Sequence, residues 1–284
     1  MRGQSMTPIP RVGIADLLRN YPVLLLDAYG VLVTLAGPLP GAGELIEALN
    51  RRGQAYFMLT NGAARLPETA AARYRAFGLA IPPERIITSG SLLTPYFVEH
   101  GLVGQRCRVL GPADSRRYVE LAGGEAVDLK ADFDVLVVCD QSGFPFLETV
   151  DATLSALIDK IESGRPATMV LPNPDLIFPT GHGFGVTSGS IALLIEAALA
   201  LRYPGRPDLR FACLGKPHAA IFEEAERRAG SRDMVMIGDQ LETDIRGAND
   251  FGIDSALMLG GVVGAEAVAA STARPTFLLP SLQI

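Results

Sequence analysis

The sequence predicts an α/β protein: a doubly wound, Rossmann-like parallel sheet with a second α/β unit inserted into it. Short strand-like runs alternate with segments of helical periodicity along most of the chain. The run Val23-Leu24-Leu25-Leu26 is continuously apolar rather than alternating, as a strand covered on both faces must be. The middle of the chain repeats the same rhythm between loops rich in Gly and Pro, which marks a separate unit.

The elements follow in order. Gly43 to Arg52 places Leu45, Ile46 and Leu49 on one helical face, and Gly53 stops it. Ala55 to Leu59 is the next strand, and Pro67 to Phe77 the next helix, with Gly78 just past its end. From about Arg85 to Thr187 the expected strands are Arg108 to Leu110, Val135 to Cys139 and Thr168 to Leu171. The helices between them are Ala113 to Ala122 and Leu147 to Glu162. Beyond lie an apolar helix, Ile191 to Leu201, and a strand, Phe211 to Leu214. The chain then runs through helix Ala219 to Ala229, strand Met234 to Ile237, helix Asp244 to Phe251 and strand Ala256 to Leu259. The expected division is 1–88 and 187–284 for the core, with 89–186 as the insertion.

Composition narrows the function classes. The chain has 284 residues, 48% of them hydrophobic and 20% charged, enough to bury a sizeable core in one large or two smaller domains. A net charge of -6 without a basic cluster argues against nucleic acid, whose phosphates need Lys and Arg on one face. No apolar run approaches the roughly 20 residues of a membrane span. Cys107, Cys139 and Cys213 are far apart and lack metal spacing, which fits a reducing, cytoplasmic setting. Met1 to Pro10 lacks the basic-then-apolar pattern of a signal peptide and reads as a loose tail.

Four places put a polar residue where an apolar strand ends: Asp27, Thr60-Asn61, Lys216 and Asp239. In open parallel sheets the carboxyl ends of the strands are where ligands bind. Asp27 offers a carboxylate as nucleophile or hard-metal ligand, or else caps a turn. The hydroxyl of Thr60 and the backbone after Asn61 suit phosphate oxygens, or a simple N-cap. Lys216, between Gly215 and Pro217, is placed to neutralise a phosphoryl group, although most lysines are merely solvated. Asp239 and Asp244 flank a short loop, and carboxylates near Asp27 favour a divalent cation. Asp244 also reads as a first-turn acid of a helix.

The ordered set Asp27 with Gly30-Val31-Leu32, Thr60-Asn61, Lys216-Pro217, and Gly238-Asp239 with Thr243-Asp244 resembles the haloacid-dehalogenase-like (HAD) superfamily. The resemblance covers nearly the whole chain, from about Val23 to Leu259. Leu39 to Ala42, Asn173-Pro174-Asp175 and Gly183 to Gly185 further resemble its class IIA branch, which contains p-nitrophenyl phosphatases, phosphoglycolate phosphatases and pyridoxal-phosphate phosphatases. The resemblance implies a HAD core with an inserted α/β cap that chooses the leaving group. It implies an aspartyl-phosphate on Asp27, with Mg2+ held by Asp27, the carbonyl of Tyr29 and Asp239, and Asp244 close by. Thr60, Asn61 and Lys216 would bind the phosphoryl group of a small phosphate ester. Caps of this branch often mediate dimers, so a homodimer is among the expectations.

One residue departs from the pattern. Phosphatases of the superfamily usually carry a second Asp two residues after the nucleophile, as general acid and base; here that position is Tyr29. A phenol with an ordinary pKa near ~10 is a poor base at neutral pH. Losing a positioned acid/base typically costs about 10²–10⁴-fold. Asp-x-Tyr-Gly is also the arrangement of haloacid dehalogenases, where the nucleophile attacks carbon. Tyr29 therefore leaves two alternatives beside the phosphatase: a ligand binder that lost turnover, and a dehalogenase-like hydrolase. His182 and His218 are candidate substitutes for the acid/base, or ordinary loop histidines. Arg65 reads as solvent-facing rather than as a contact to an anionic substrate, and Asp140 to Phe144 as a candidate specificity loop.

Overall fold

The structure is a computed structural model. It describes residues 8–259 and 271–284. In chain order the strands are β1 Val23–Asp27, β2 Val33–Thr34, β3 Gly37–Pro38, β4 Ala55–Thr60, β5 Ile86–Thr88, β6 Arg106–Leu110, β7 Glu125–Val127 and β8 Val135–Val138. They continue as β9 Thr168–Leu171, β10 Ile177–Thr180, β11 Gly183–Val186, β12 Ala212–Cys213, β13 Met234–Gly238, β14 Asp254–Met258 and β15 Phe277–Leu279. The helices are α1 Ile14–Asn20, α2 Ala42–Arg52, α3 Pro67–Ala76, α4 Leu93–Glu99, α5 Ala113–Leu121, α6 Phe146–Glu162, α7 Ser188–Arg202, α8 Ala219–Ala229 and α9 Arg246–Phe251.

The chain divides into two compact units. The first comprises Met1–Leu59, Ala71–Ile86 and Phe222–Ile284, the second Thr60–Ala70 and Ile87–Ile221. The first carries the six-stranded sheet, in the order β15-β14-β13-β1-β4-β5. Its pairings from β4 through β1, β13 and β14 to β15 are parallel. All five residues of β1 and all five of β13 are buried, the pattern expected of central strands. Helix α2 buries Leu45, Ile46 and Leu49 and stops at Gly53, whose φ of 62° is the left-handed conformation of a helix C-cap. The expected loose tail needs correction at its end. Pro10 accepts a hydrogen bond from the Leu278 amide at 2.9 Å, which ties the chain to β15. Residues 1–7 of that tail lie outside the described residues.

The second unit carries the five-stranded sheet β12-β9-β8-β6-β7, parallel throughout. Its core joins Leu110, Leu136 and Met169 on the strands to Ile191, Ile195 and Leu199 on α7. Helix α7 packs there and β12 pairs with β9, and this unit runs on to Ile221. An antiparallel hairpin, β10–β11, extends from the same unit.

Candidate functional site

In the first unit the parallel register decides what meets. Leu26 on β1 is in register with Ile237 on β13, so the chain leaves both strands at one edge of the sheet. Asp27 is the last residue of β1 and Asp239 directly follows β13. After β13 the chain enters a single π-type turn, Leu241–Ile245, which carries Asp244. The helix expected over Asp244 to Phe251 therefore starts later, at Arg246. Such turns insert an extra residue and recur at functional sites, because they re-aim a side chain.

Asp27, Asp239 and Asp244 are buried, and one carboxylate oxygen from each lies within 4.8 Å of the others. Two glycines make room for this cluster. A Cβ on Gly30, whose φ is +82°, would fall 1.9 Å from Asp239 Oδ2. A Cβ on Gly238 would fall 2.2 Å from the Cβ of Asp244. Asp244 Oδ2 also accepts a hydrogen bond from the Gln240 amide at 3.1 Å, which closes the turn. The donor set is all oxygen and all anionic, so it suits a hard divalent cation far better than a soft one.

Tyr29 sits in a turn whose backbone is fixed at several points. Val33 donates to the Ala28 carbonyl at 2.9 Å and Gly30 donates to the Val33 carbonyl at 2.8 Å. Val31, Leu32 and Val33 are fully buried beneath it. The Tyr29 hydroxyl accepts a hydrogen bond from Arg73 Nη2 on α3 at 2.8 Å. Sequence reading missed Arg73. Its only signal was a basic residue in the last turn of a short helix, which ordinarily faces solvent.

In the second unit Asn61 is a hub. Its Nδ2 donates to Asp175 Oδ1 at 2.8 Å and to the Lys216 carbonyl at 2.9 Å. Its Oδ1 accepts from the Lys216 amide at 2.7 Å, and its own carbonyl accepts from Ser89 Oγ at 2.6 Å. Gly215 allows the approach, since a Cβ there would stand 2.6 Å from Asn61 Oδ1. Lys216 is 3% exposed, so it is not a solvated surface lysine. A cation is costly to take out of water, so burial singles out the position. Thr60 closes β4, and its Oγ1 accepts from the Gly62 amide at 3.2 Å.

The Asn-Pro-Asp segment belongs to this second constellation. Asp175 donates its amide to Asn173 Oδ1 at 3.0 Å, and Asn173 Nδ2 reaches Thr187 Oγ1 at 3.2 Å. Helix α5 holds the loop after Asn61. Ser115 Oγ donates to the Ala63 carbonyl at 2.8 Å and the Tyr118 hydroxyl to the Arg65 carbonyl at 2.5 Å. Asp114 Oδ2 accepts from the Leu66 amide at 2.9 Å and from Thr69 Oγ1 at 2.8 Å. Arg65 and His218 are exposed, and His182 lies exposed at the tip of the β10–β11 hairpin.

Comparison with known proteins places these residues in a lineage. The model of haloacid dehalogenase-like hydrolases matches residues 24–125, and that of HAD-hydrolase-like proteins matches residues 213–283. The structure superposes with a TM-score of 0.82 on a possible sugar phosphatase of the HAD superfamily from Cytophaga hutchinsonii. The two are 31% identical, over 98% of this chain and 99% of that one. The chain belongs to the HAD superfamily. A dihydroxyacetone phosphatase from Corynebacterium glutamicum is 28% identical, over 91% of this HAD chain and 88% of its own. The 4-nitrophenylphosphatase of Thermotoga maritima shares the fold, with a TM-score of 0.79 at 24% identity, over 94% of this chain and 96% of that one.

Proposed function

We propose that this HAD protein is a magnesium-dependent phosphatase of small phosphorylated metabolites, with sugar phosphates the favoured class, and that Asp27 is its covalent nucleophile. The observation that carries the reading is the cluster of three buried carboxylates within 4.8 Å. Mg2+ takes carboxylate oxygens and keeps waters, and Asp27, Asp239 and Asp244 with the Tyr29 carbonyl are the groups that would hold it. Bound there, it would offset the repulsion between a carboxylate nucleophile and an anionic phosphoryl group.

In this reading the other residues share the work. An oxygen of Asp27 attacks phosphorus, and the leaving oxygen departs in line. Water then cleaves the aspartyl-phosphate, which releases phosphate and restores the carboxylate. Thr60, Asn61 and Lys216 are assigned the phosphoryl oxygens by the family resemblance. The Asn61 hydrogen bonds support that assignment, since they tie its amide to the Lys216 backbone and to the Asp175 carboxylate. The α/β insertion is assigned the cap role of choosing the leaving group. A homodimer through the cap and a cytoplasmic location belong to the same reading. Three free cysteines fit a reducing compartment, and no described helix is long and apolar enough to cross a membrane.

The two alternatives opened by Tyr29 are less well supported. Dehalogenases of the superfamily need no metal, and a cluster of three buried carboxylates is hard to account for in such an enzyme. The relatives found here are named as phosphatases, which disfavours a silent binder. The test is inorganic phosphate release from a panel of phosphate esters, with magnesium and with chelator. Magnesium-dependent release that Asp27→Asn abolishes is the expected result. Release that persists in Asp27→Asn would end the covalent mechanism. Halide release from a 2-haloacid, without phosphate release, would revive attack on carbon.

A further inference from the structure

We propose that Tyr29, oriented by Arg73, donates a hydrogen bond to the oxygen that leaves phosphorus. It would do so as a neutral phenol, where other phosphatases of the superfamily place a carboxylic acid. This rests on the phosphatase reading above and asks what stands in for the missing Asp.

The geometry begins with the donor inventory. A guanidinium carries only donors, so in the Arg73–Tyr29 contact at 2.8 Å the phenol oxygen must be the acceptor. The phenol's own hydrogen is left over. Among the described residues no hydrogen bond has the Tyr29 hydroxyl as its donor. Accepting from a cation polarises the O–H group and makes it a stronger donor to a third partner.

Arg73 is itself held in place. Its Cζ lies 5.9 Å from the Tyr29 ring centroid and 5.7 Å from that of Phe77, so the guanidinium rests against two aromatic rings. At the other end, the Ala28 and Gly30 hydrogen bonds to Val33 fix the backbone that carries the phenol. Tyr29 is therefore anchored at both its backbone and its hydroxyl. A group fixed before substrate arrives loses little on binding, which is what makes a single hydrogen bond count in a transition state.

The bonds balance without ionising the phenol. The Asp27–phosphorus bond forms and the bond from phosphorus to the leaving oxygen breaks, its electron pair going to that oxygen. The oxygen departs with the Tyr29 hydrogen bond and takes its proton from water. Water or the resulting hydroxide then attacks phosphorus, and the Asp27–phosphorus bond breaks. The net reaction is ester plus water to alcohol plus phosphate.

Such a donor matters in proportion to the charge on the leaving oxygen. A nitrophenolate spreads its charge over the ring, whereas an alkoxide keeps it on oxygen. The experiment compares kcat/KM of Tyr29→Phe, Arg73→Met and Arg73→Lys with wild type on p-nitrophenyl phosphate and on glycerol phosphate, with magnesium. Removing one preorganised donor costs up to about 10²–10³-fold in favourable sites. The expected result is that Tyr29→Phe loses at least about tenfold more on the alkyl ester than on the aryl ester. Arg73→Met should show the same asymmetry, smaller, and Arg73→Lys should recover part of it. Equal losses on both esters, or no loss, overturn the proposal. Should Tyr29→Phe fail to fold, the asymmetry in Arg73→Met decides alone. A wild-type protein silent on both esters overturns the phosphatase reading and this proposal together, whereas an active wild type with uniform losses overturns only the latter.

Discussion

The carboxylate of Asp239 occupies the space that a side chain at position 30 would need: a Cβ built on Gly30 lies 1.9 Å from Asp239 Oδ2. The loop after β1 and the loop after β13 thus interlock through a missing side chain. Gly30→Ala should break this twice. Alanine pays about 1–2 kcal/mol at a left-handed φ. It also has to push Asp239 away from Asp27. The expected outcome is a lower Tm and a loss of at least about tenfold in magnesium-dependent phosphate release, since misplaced metal-site groups typically cost 10–100-fold. A variant with wild-type rate and Tm would show that the two loops can separate without consequence.

Asp244→Asn should change how far magnesium stabilises the fold. Two ionised carboxylates about 5 Å apart repel by about 3 kcal/mol at an effective dielectric of about 20. Removing one such charge relieves that repulsion, so the metal-free variant should melt higher than metal-free wild type. Magnesium should raise the Tm of wild type, because a ligand at about a hundred times its Kd stabilises the folded state by about 2.7 kcal/mol. The same magnesium should raise the variant's Tm much less. Differential scanning calorimetry across a magnesium series reads both effects. Equal magnesium shifts in the two proteins would remove Asp244 from the metal set.

Much of this was legible in the sequence, for identifiable reasons. Buried parallel strands such as Val23–Asp27 and Met234–Gly238 have continuous apolar runs, and each ends on or just before a carboxylate. That made Asp27 and Asp239 stand out without coordinates. What sequence could not give was partnership at long range. Asn61 and Asp175 are 114 positions apart, and Tyr29 and Arg73 are 44 apart. No local periodicity encodes such pairs. The strand expected over Phe211 to Leu214 forms only at Ala212–Cys213, and its pairing with β9 has no local signal because two half-buried residues do not specify a neighbour. The π-type turn at Leu241–Ile245 also escaped, since its residues read equally well as the first turn of an ordinary helix.

Asp175→Ala should act on the Asn61 hub without touching the carboxylate cluster. Asn61 Nδ2 would lose its charged acceptor at 2.8 Å and keep only the Lys216 carbonyl at 2.9 Å. Hydrogen bonds to charged groups contribute about 1.5–3 kcal/mol, so kcat/KM should fall by roughly 10- to 100-fold. The inhibition constant for inorganic phosphate should weaken in step, while magnesium dependence stays as in wild type. Titration of both ligands against the variant separates the two. A matching loss of magnesium affinity would mean that Asp175 serves the whole fold rather than this hub.

Asp114→Ala tests whether α5 holds the loop that follows Asn61. Asp114 accepts from the Leu66 amide and from Thr69, in the manner of a cap at the start of α3. Losing such a cap costs about 1 kcal/mol. For this variant KM should rise more than kcat falls, because the loop carrying Asn61 is loosened while Asp27 is untouched. Asp114→Asn keeps an acceptor oxygen and should restore most of the KM. If Asp114→Ala lowers Tm and leaves KM as in wild type, α5 only stabilises the loop.

The cysteines give a pH prediction. Burial pushes the thiols of Cys107 and Cys139 up to about 12, helped at Cys107 by the nearby Asp134 and Glu125. Cys213, half-buried, is raised by burial too, and by Glu196. The thiolate is the reactive form, so a raised thiol is a slow one. At pH 8 an ordinary cysteine near ~8.5 is about a quarter thiolate, whereas one near ~12 is about 10⁻⁴ thiolate. Native protein at pH 8 should therefore react with iodoacetamide first at Cys213, with Cys107 and Cys139 at least about a hundredfold slower than in denaturant. Raising the pH from 8 to 9 should increase the native rates about tenfold per unit, because both buried thiols remain far below half ionisation. Peptide mass spectrometry of a timed alkylation reads each site. Rapid native labelling of Cys139 would mean that the second unit opens at the end of β8 on the timescale of the reaction.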